Sequence, residues 1–106
     1  MKNGILIIAM LMSACAWTPK DEAWKLSLET PRPPGVNGNC LPVAQALKEK
    51  YGGEIAVISC RDNPWEHHAV LMVEDEWLLD NGTMGYLAHW DDVIEKGCKF
   101  EYWWKP

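Results

Sequence analysis

The sequence lacks several features that would assign it to a common functional class. Its 106 residues contain 10 Lys and Arg against 15 Asp and Glu, a formal net charge of −5. Binding to nucleic-acid phosphates needs a basic surface, so no nucleic-acid partner is expected. No cysteines or histidines have the C-x-x-C or H-x-x-x-H spacing of a zinc site, and the acidic residues have no calcium-loop spacing. Neither a metal nor a cofactor is therefore predicted.

No apolar run is long enough to span a bilayer, although the chain begins with a short one. Lys2 is followed by an apolar run at residues 4–12 and then by Ser13-Ala14-Cys15. A basic start, a short apolar run and a small-residue site are typical of a secretory signal. We therefore expect residues 1–14 to be a signal peptide and the remaining chain to be exported.

The end of this segment, Met12-Ser13-Ala14-Cys15, resembles the lipobox of bacterial lipoproteins. In those proteins the cysteine becomes the lipidated first residue of the mature chain. The resemblance implies that Cys15 carries the palmitate-containing anchor of a cell-envelope lipoprotein. Ala16 after the cysteine favours the periplasm-facing side of the outer membrane if the host is Gram-negative. The alternative is a plain signal peptide cleaved nearby, with no role for Cys15.

The number of cysteines bears on which thiol is free. If Cys15 is lipidated, Cys40, Cys60 and Cys98 remain, an odd number in an oxidising compartment. The economical solution is a disulfide between Cys60 and Cys98 that leaves Cys40 free. The other two pairings would place Cys40 in the bridge and remove it as a reactive thiol.

The order of elements favours an α+β domain over residues 39–106, with a helix packed on an antiparallel sheet of about four strands. Residues 15–38 hold four of the seven prolines and are expected to be a tether, with a possible edge strand over 24–28. Apolar spacing predicts a helix from Cys40 to about Tyr51, capped by Asn39 and ended by Gly52-Gly53. The other predictions are strands over 54–60, 68–73, 77–80 and 98–104, a loop over 61–66 and a short helix over 91–96.

The hairpin between residues 68 and 80 carries a geometric argument. A two-residue turn at Glu74-Asp75 would need positive φ without Gly or Asn, so a wider loop with an odd number of residues is predicted. That register pairs His68 with Asp80 on one face, with Cβ atoms roughly 5 Å apart. A slip of one residue would place Asn81 there instead, and an asparagine can also orient an imidazole.

Cys40, His68 and Asp80 together form a candidate catalytic constellation. A cysteine in the first turn of a helix is readily ionised, and a nearby imidazolium favours the thiolate further. His68 would act as the base and Asp80 would orient its ring. The backbone N–H of Cys40 is the first candidate oxyanion donor, and Asn37 or Asn39 is a candidate for the second. Taken singly, the three residues could equally be a buried thiol, a structural histidine and a turn aspartate.

Three stretches, Gly38-Asn39-Cys40, H-A-V-L-M-V at 68–73 and W-L-L-D-N at 77–81, resemble the blocks of bacterial transglutaminase-like cysteine proteinases. Those proteins join a G-D-C helix start to an H-A-V-L strand and an L-D-N strand on a papain/transglutaminase-type core. By that resemblance Cys40 is the nucleophile, His68 the base and Asp80 the orienter. Asn39 stands where the family has Asp, and Leu41-Pro42 replaces its acidic continuation.

These observations predict a membrane-anchored cysteine hydrolase of the cell envelope, a protease or amidase that forms a thioester with a peptide or protein substrate. Acyl transfer to an amine would use the same residues. The alternative is a catalytically inactive transglutaminase-like lipoprotein that binds a partner protein through a Trp-rich surface including Trp103 and Trp104. No oligomeric state is predicted.

Overall fold

The computed structural model of the chain describes residues 17–35, 38–61 and 63–106. The expected signal peptide, Cys15 and Asn37 lie outside these ranges. The described residues have an α+β fold with three helices and five strands, and no helix among them is long and apolar enough to cross a membrane. In chain order these elements are α1 (Pro19–Glu29), α2 (Cys40–Tyr51), β1 (Glu54–Cys60), β2 (Asn63–Val73), β3 (Trp77–Leu79), β4 (Leu87–His89), α3 (Trp90–Glu95) and β5 (Cys98–Trp103).

The five strands form one antiparallel sheet in the order β4-β3-β2-β1-β5. The prediction of about four strands missed β4, which has only three residues and no alternating pattern long enough to stand out. Apolar side chains on alternate positions of the strands face opposite sides of the sheet. One core lies between the sheet and the helices α1 and α2, and contains Ala23, Val43, Ala44, Leu47, Ile55, Ala69, Leu71 and Leu79. The other lies towards α3 and contains Ala56, Ile58, Val70, Met72, Leu78, Val93 and Cys98.

Helix α1 occupies residues 19–29 of the stretch that was expected to be a tether, and the edge strand predicted over 24–28 is therefore wrong. Thr18 Oγ1 accepts from the Asp21 N–H at 3.2 Å, and the Asp21 carboxylate accepts from the Thr18 N–H at 3.0 Å. This reciprocal capping box starts the helix, and Pro19 occupies the first turn, where its missing N–H costs nothing. The side chain of Ala23 is completely buried in the core. A proline therefore marks a helix start here and not an irregular segment.

Helix α2 has the predicted bounds. Its N-cap residue is Asn39, whose carbonyl accepts from the Val43 N–H at 3.0 Å. At the other end the Gly52 N–H donates to the Lys48 carbonyl at 2.8 Å. The Asn39 side chain makes no hydrogen bond to its own helix, which differs from the expected side-chain cap.

Strand β2 begins earlier than predicted. Asn63 pairs with Cys60, so the expected loop over 61–66 is wrong and the connection between the strands is short. Cys60 also pairs with Cys98 on β5, and the two form a disulfide. The predicted pairing is therefore confirmed, and Cys40 is the free cysteine of the described chain.

The turn between β2 and β3 differs from the prediction in its register. Glu74 and Asp75 have φ values of 55° and 59°, and the Glu76 N–H donates to the Val73 carbonyl at 3.2 Å. Positive φ at both central residues is the mark of a type I′ turn, so acidic residues occupy the conformation that was expected to be disfavoured. Glu76 adds a third loop residue, and the strands pair Val73 with Trp77. The register is therefore shifted by two residues from the predicted one.

Candidate active site

Cys40 is the first residue of α2 and is half-buried where this helix packs on β2. Burial raises the pKa of its thiol. Hydrogen bonds from the His68 ring and the Ala69 N–H, together with the charge of His68, outweigh burial and hold that pKa below its ordinary value. The thiol therefore has the environment of a reactive cysteine.

His68 lies between this thiol and a carboxylate. Its side chain is only 13% exposed, and its Nε2 lies 3.1 Å from Oδ2 of Asp80. Burial lowers the pKa of the imidazole, but hydrogen bonds to Asp80 and Cys40 raise it more strongly, to about 9. Since Nε2 contacts Asp80, Nδ1 is the nitrogen left for the thiol. The two shifts act in the same direction and favour a thiolate–imidazolium pair over the neutral pair.

Asp80 is 1% exposed, and every contact of its carboxylate is internal. Oδ1 accepts from the N–H groups of Gly82 at 3.1 Å and Tyr86 at 2.9 Å, while Oδ2 accepts from the Met84 N–H at 2.6 Å and faces the His68 ring. Burial raises the pKa of Asp80, but the hydrogen bond from His68 and those from the Met84 and Gly82 N–H groups lower it overall. The carboxylate is therefore ionised and fixed by the loop that follows it.

The shifted register still brings the two groups together. In a period-two strand, a shift by two residues leaves the same side chains on the same face. Asp80 then follows β3 as a diagonal neighbour of His68 instead of a direct one, and its side chain spans the difference. The odd number of residues in the loop is what brings Asp80 to His68, because a shift by one residue would have placed Asn81 beside the imidazole instead.

The alternative orienter and the candidate oxyanion side chain bind each other. Asn81 Nδ2 donates to Asn39 Oδ1 at 2.9 Å, and its Oδ1 accepts from Thr83 Oγ1 at 2.9 Å. Asn39 Nδ2 donates to the carbonyls of Ser27 at 3.0 Å and Thr30 at 2.8 Å. Both N–H groups of Asn39 thus have acceptors, which argues against the Asn39 side chain as an oxyanion donor. The backbone N–H of Cys40, in the first turn of α2, keeps that candidacy.

A cleft of about 810 Å³ opens over the thiol and the imidazole. This volume lies within the range of pockets that hold small ligands or side chains. Among the residues whose side chains the structure describes, none that lines the cleft is Asp, Glu, Lys or Arg, although the chain as a whole is acidic. Besides Cys40 and His68, its walls include Leu41, Pro42, Gln45, His67, Thr83 and Met84. The described part of the cleft wall thus offers apolar and uncharged polar contacts around the thiol and the imidazole.

The loop after β3 supplies site residues that the sequence reasoning missed. Its backbone N–H groups hold Asp80, and Gly82, with a φ of 108°, allows the loop to turn back. A Cβ at position 82 would lie 2.9 Å from the Tyr86 ring, so only glycine fits. The spacing of Asp80 and Gly82 is typical of an Asx turn and could have predicted that the carboxylate accepts from the Gly82 N–H.

Within residues 17–35, 38–61 and 63–106, no three His, Cys, Asp or Glu side chains are grouped so that they could hold a metal ion. Comparisons of the chain with protein-family models, curated proteins and solved structures gave no match. Any functional assignment therefore depends on the geometry and chemistry of this site.

Proposed function

We propose that this chain is a cysteine hydrolase of the cell envelope, a protease or amidase with Cys40 as nucleophile, His68 as base and Asp80 as orienter. One arrangement carries the proposal: a free thiol at a helix N-terminus lines one cleft with an imidazole whose Nε2 contacts a buried carboxylate. These are the parts that covalent acyl transfer through a cysteine requires.

The reaction follows from these positions. The Cys40 thiolate attacks the carbonyl carbon of the substrate, and the Cys40 backbone N–H donates to the oxyanion that forms. His68 gives its Nδ1 proton to the leaving amine, which departs and leaves a thioester on Cys40. His68 then takes a proton from water, whose oxygen attacks the thioester, and the released thiolate completes the cycle. An amine in place of that water would give acyl transfer.

The resemblance to transglutaminase-like cysteine proteinases supports the same assignment, with α2, β2 and β3 as the counterparts of the family's helix and two strands on a papain/transglutaminase-type core. The lipobox-like stretch at residues 12–15 supports a lipoprotein anchored through Cys15. We accordingly place the hydrolase on the envelope membrane, with a peptide or protein as its substrate.

Selective alkylation tests the assignment. With Cys60 and Cys98 bridged, iodoacetamide should modify Cys40 at pH 6.5 at least about tenfold faster than it modifies free cysteine, because a larger fraction is thiolate. His68→Gln should abolish this advantage. Release of amine from a library of fluorogenic peptide amides should disappear in Cys40→Ala. A Cys40 that reacts no faster than free cysteine, or no slower after His68→Gln, would refute the assignment.

A second candidate function is a binding module that docks a partner protein on the β5 edge. Phe100, Tyr102 and Trp103 are 39%, 50% and 39% exposed on this outermost strand. Large apolar side chains at a sheet edge are typical of interaction sites. Trp104 is a poorer probe than expected, because it is partly buried against the core. Trp103→Ala should impair a binding module and spare the hydrolase, whereas Cys40→Ala should do the reverse.

A further inference from the structure

Two asparagines stand next to the reacting groups in sequence and bond to each other in space. Asn39 directly precedes Cys40, and Asn81 directly follows Asp80. The Asn81 amide donates to Asn39 Oδ1 at 2.9 Å. The segment that carries the nucleophile and the segment that carries the orienter, 40 residues apart in the chain, are thus joined by one side-chain hydrogen bond beside the site.

The same asparagine is also held from behind by α1. Its Nδ2 donates to the carbonyls of Ser27, in the last turn of α1, and Thr30, the C-cap residue. Carbonyls at the end of a helix have no partner within it, so Asn39 completes the end of the preceding helix and does not cap its own. With both N–H groups directed at α1, Oδ1 can face only the other way, towards Asn81.

We propose that Asn39 and Asn81 form a positioning clamp that holds the Cys40 thiol beside the imidazole that Asp80 orients. This role rests on the proposed hydrolase function. Asn81 also lines the cleft. The side-chain hydrogen bonds of the two asparagines go to each other, to the end of α1 and to Thr83, and not to the three candidate catalytic residues. α1 takes part through the Ser27 and Thr30 carbonyls, which accept from the Asn39 amide. A helix that is remote from the chemistry thereby fixes the start of α2, where Cys40 lies.

The clamp also explains why Asn39 differs from the aspartate of the resembling family. A carboxylate at position 39 could still accept from Asn81, but it would face the Ser27 and Thr30 carbonyls with no proton to donate. Two hydrogen bonds would become contacts between like partial charges, which costs more than leaving the acceptors to water. The amide is therefore required by α1, and the site is built around it.

The test measures the pH dependence of Cys40 alkylation by iodoacetamide in the full chain. Asn81→Ala and Asn39→Ala should each shift the acid limb of the profile up by about one pH unit and slow the reaction near pH 6 about tenfold, because a displaced imidazole stabilises the thiolate less. At alkaline pH, where the thiol is ionised without the imidazole, the alkylation rates of the variants should match that of the wild type. A merely structural role would leave the midpoint where it is.

A control variant removes a contact between α1 and α2 at the end of the helix pair that lies away from Asn39. Lys50 Nζ lies 3.0 Å from Glu22 Oε1, and Lys50→Gln removes this contact without touching Asn39. Its alkylation profile should match that of the wild type. The double variant Asn39→Ala/Asn81→Ala should be no slower than the worse single variant, since one interaction is lost only once.

The outcomes separate this inference from the proposed function. If the wild-type thiol is activated and Asn81→Ala has the same midpoint, the clamp is refuted and the hydrolase assignment stands. If the wild-type thiol behaves as free cysteine, the assignment itself fails. Should Asn81→Ala not fold, Asn39→Ala, which removes the same hydrogen bond and adds no charge beside the thiol, decides in the same way.

Discussion

At the scale of single residues, Asp80 links the chemistry of the site to the stability of the domain. Its two carboxylate oxygens accept from three backbone N–H groups and contact the His68 imidazole. A buried charge is tolerated only when such partners surround it. The group that orients the imidazole is thus also the group around which residues 82–86 fold, and changing it affects both properties.

The free energy of unfolding should fall below about pH 4, whereas the opposite contributions of His68 and Cys40 should offset each other between about pH 6.5 and 9. The pKa of Asp80 lies below its ordinary value of 3.8, so its contribution is full above that value and is lost as pH falls through the folded pKa. The pKa of His68 is raised from 6.5 to about 9, so its contribution is full below 6.5 and is lost as pH rises towards 9. The pKa of Cys40 lies below its ordinary value of 9.0, so its contribution grows as pH rises towards that value and offsets the loss from His68. Urea unfolding of the wild type and of Cys40→Ala at pH 3, 5.5 and 9 measures the acidic loss and this offset.

Two variants assign these losses to their groups. Asp80→Asn should flatten the acidic loss, because no carboxylate remains to be protonated. Cys40→Ala should expose the alkaline loss, because the thiolate that offsets it is gone while Asp80 still raises the pKa of His68. An unfolding free energy of Cys40→Ala that is unchanged from pH 5.5 to 9 would show that His68 is not paired with Asp80 as described.

At the scale of elements, the β2–β3 turn is a place where residue type and backbone conformation disagree. Glu74 and Asp75 hold positive φ values, which suit Asn and Gly far better. We expect Glu74→Asn/Asp75→Gly to stabilise the domain by about 1 kcal/mol. Asp75→Pro, which cannot adopt positive φ, should instead destabilise it. Urea titration of both variants at pH 7 measures the change, and equal effects of the two would contradict the turn assignment.

The sequence predicted α2 and the faces of the hairpin, but it did not predict α1 or the register. The spacing from Cys40 to Tyr51 and the pair of glycines after it are local signals, which determine α2 without reference to the rest of the chain. The start of α1 depends on Thr18 and Asp21 acting together, and its length on packing against α2, which a count of prolines cannot reveal.

The candidate site was predicted as a set of residues and not as an arrangement. His68 and Asp80 meet because the loop has an odd number of residues, although the pairing differs by two positions. The hydrogen bonds of Asn39 with Asn81 and with the end of α1 had no signal in the sequence, since they join segments that are distant in the chain. Contacts of that kind follow only once the tertiary packing is known.

At the scale of the whole molecule, one covalent bond secures an edge of the sheet. The disulfide joins β1 to β5 across 38 residues, and the intervening chain includes the other three strands and α3. Two thin hydrophobic layers in so short a chain supply limited stability. The disulfide restricts the unfolded chain over this separation, and we therefore expect it to supply a large share of the free energy of unfolding.

Removal of the cross-link should cost about 4 kcal/mol. Urea unfolding of Cys60→Ser/Cys98→Ser at 25 °C, compared with the wild type, gives the value. Dithiothreitol should lower the stability of the wild type towards that of the variant and leave the variant unchanged. A loss well under 1 kcal/mol would show that the disulfide contributes little to folding.

The antiparallel pairing of α1 with α2 has a consequence for reach. The chain enters at Pro19, beside Tyr51 at the far end of α2, while the Asn39 contacts place the end of α1 next to Cys40. α1 therefore acts as a strut of about 16 Å between the point of attachment and the thiol. With lipid on Cys15, the four residues to Pro19 add at most about 14 Å. On the proposed lipid anchor, the thiol would lie no more than about 30 Å from the lipid surface. The substrates of the proposed hydrolase would then be peptide segments that come within this distance of the membrane.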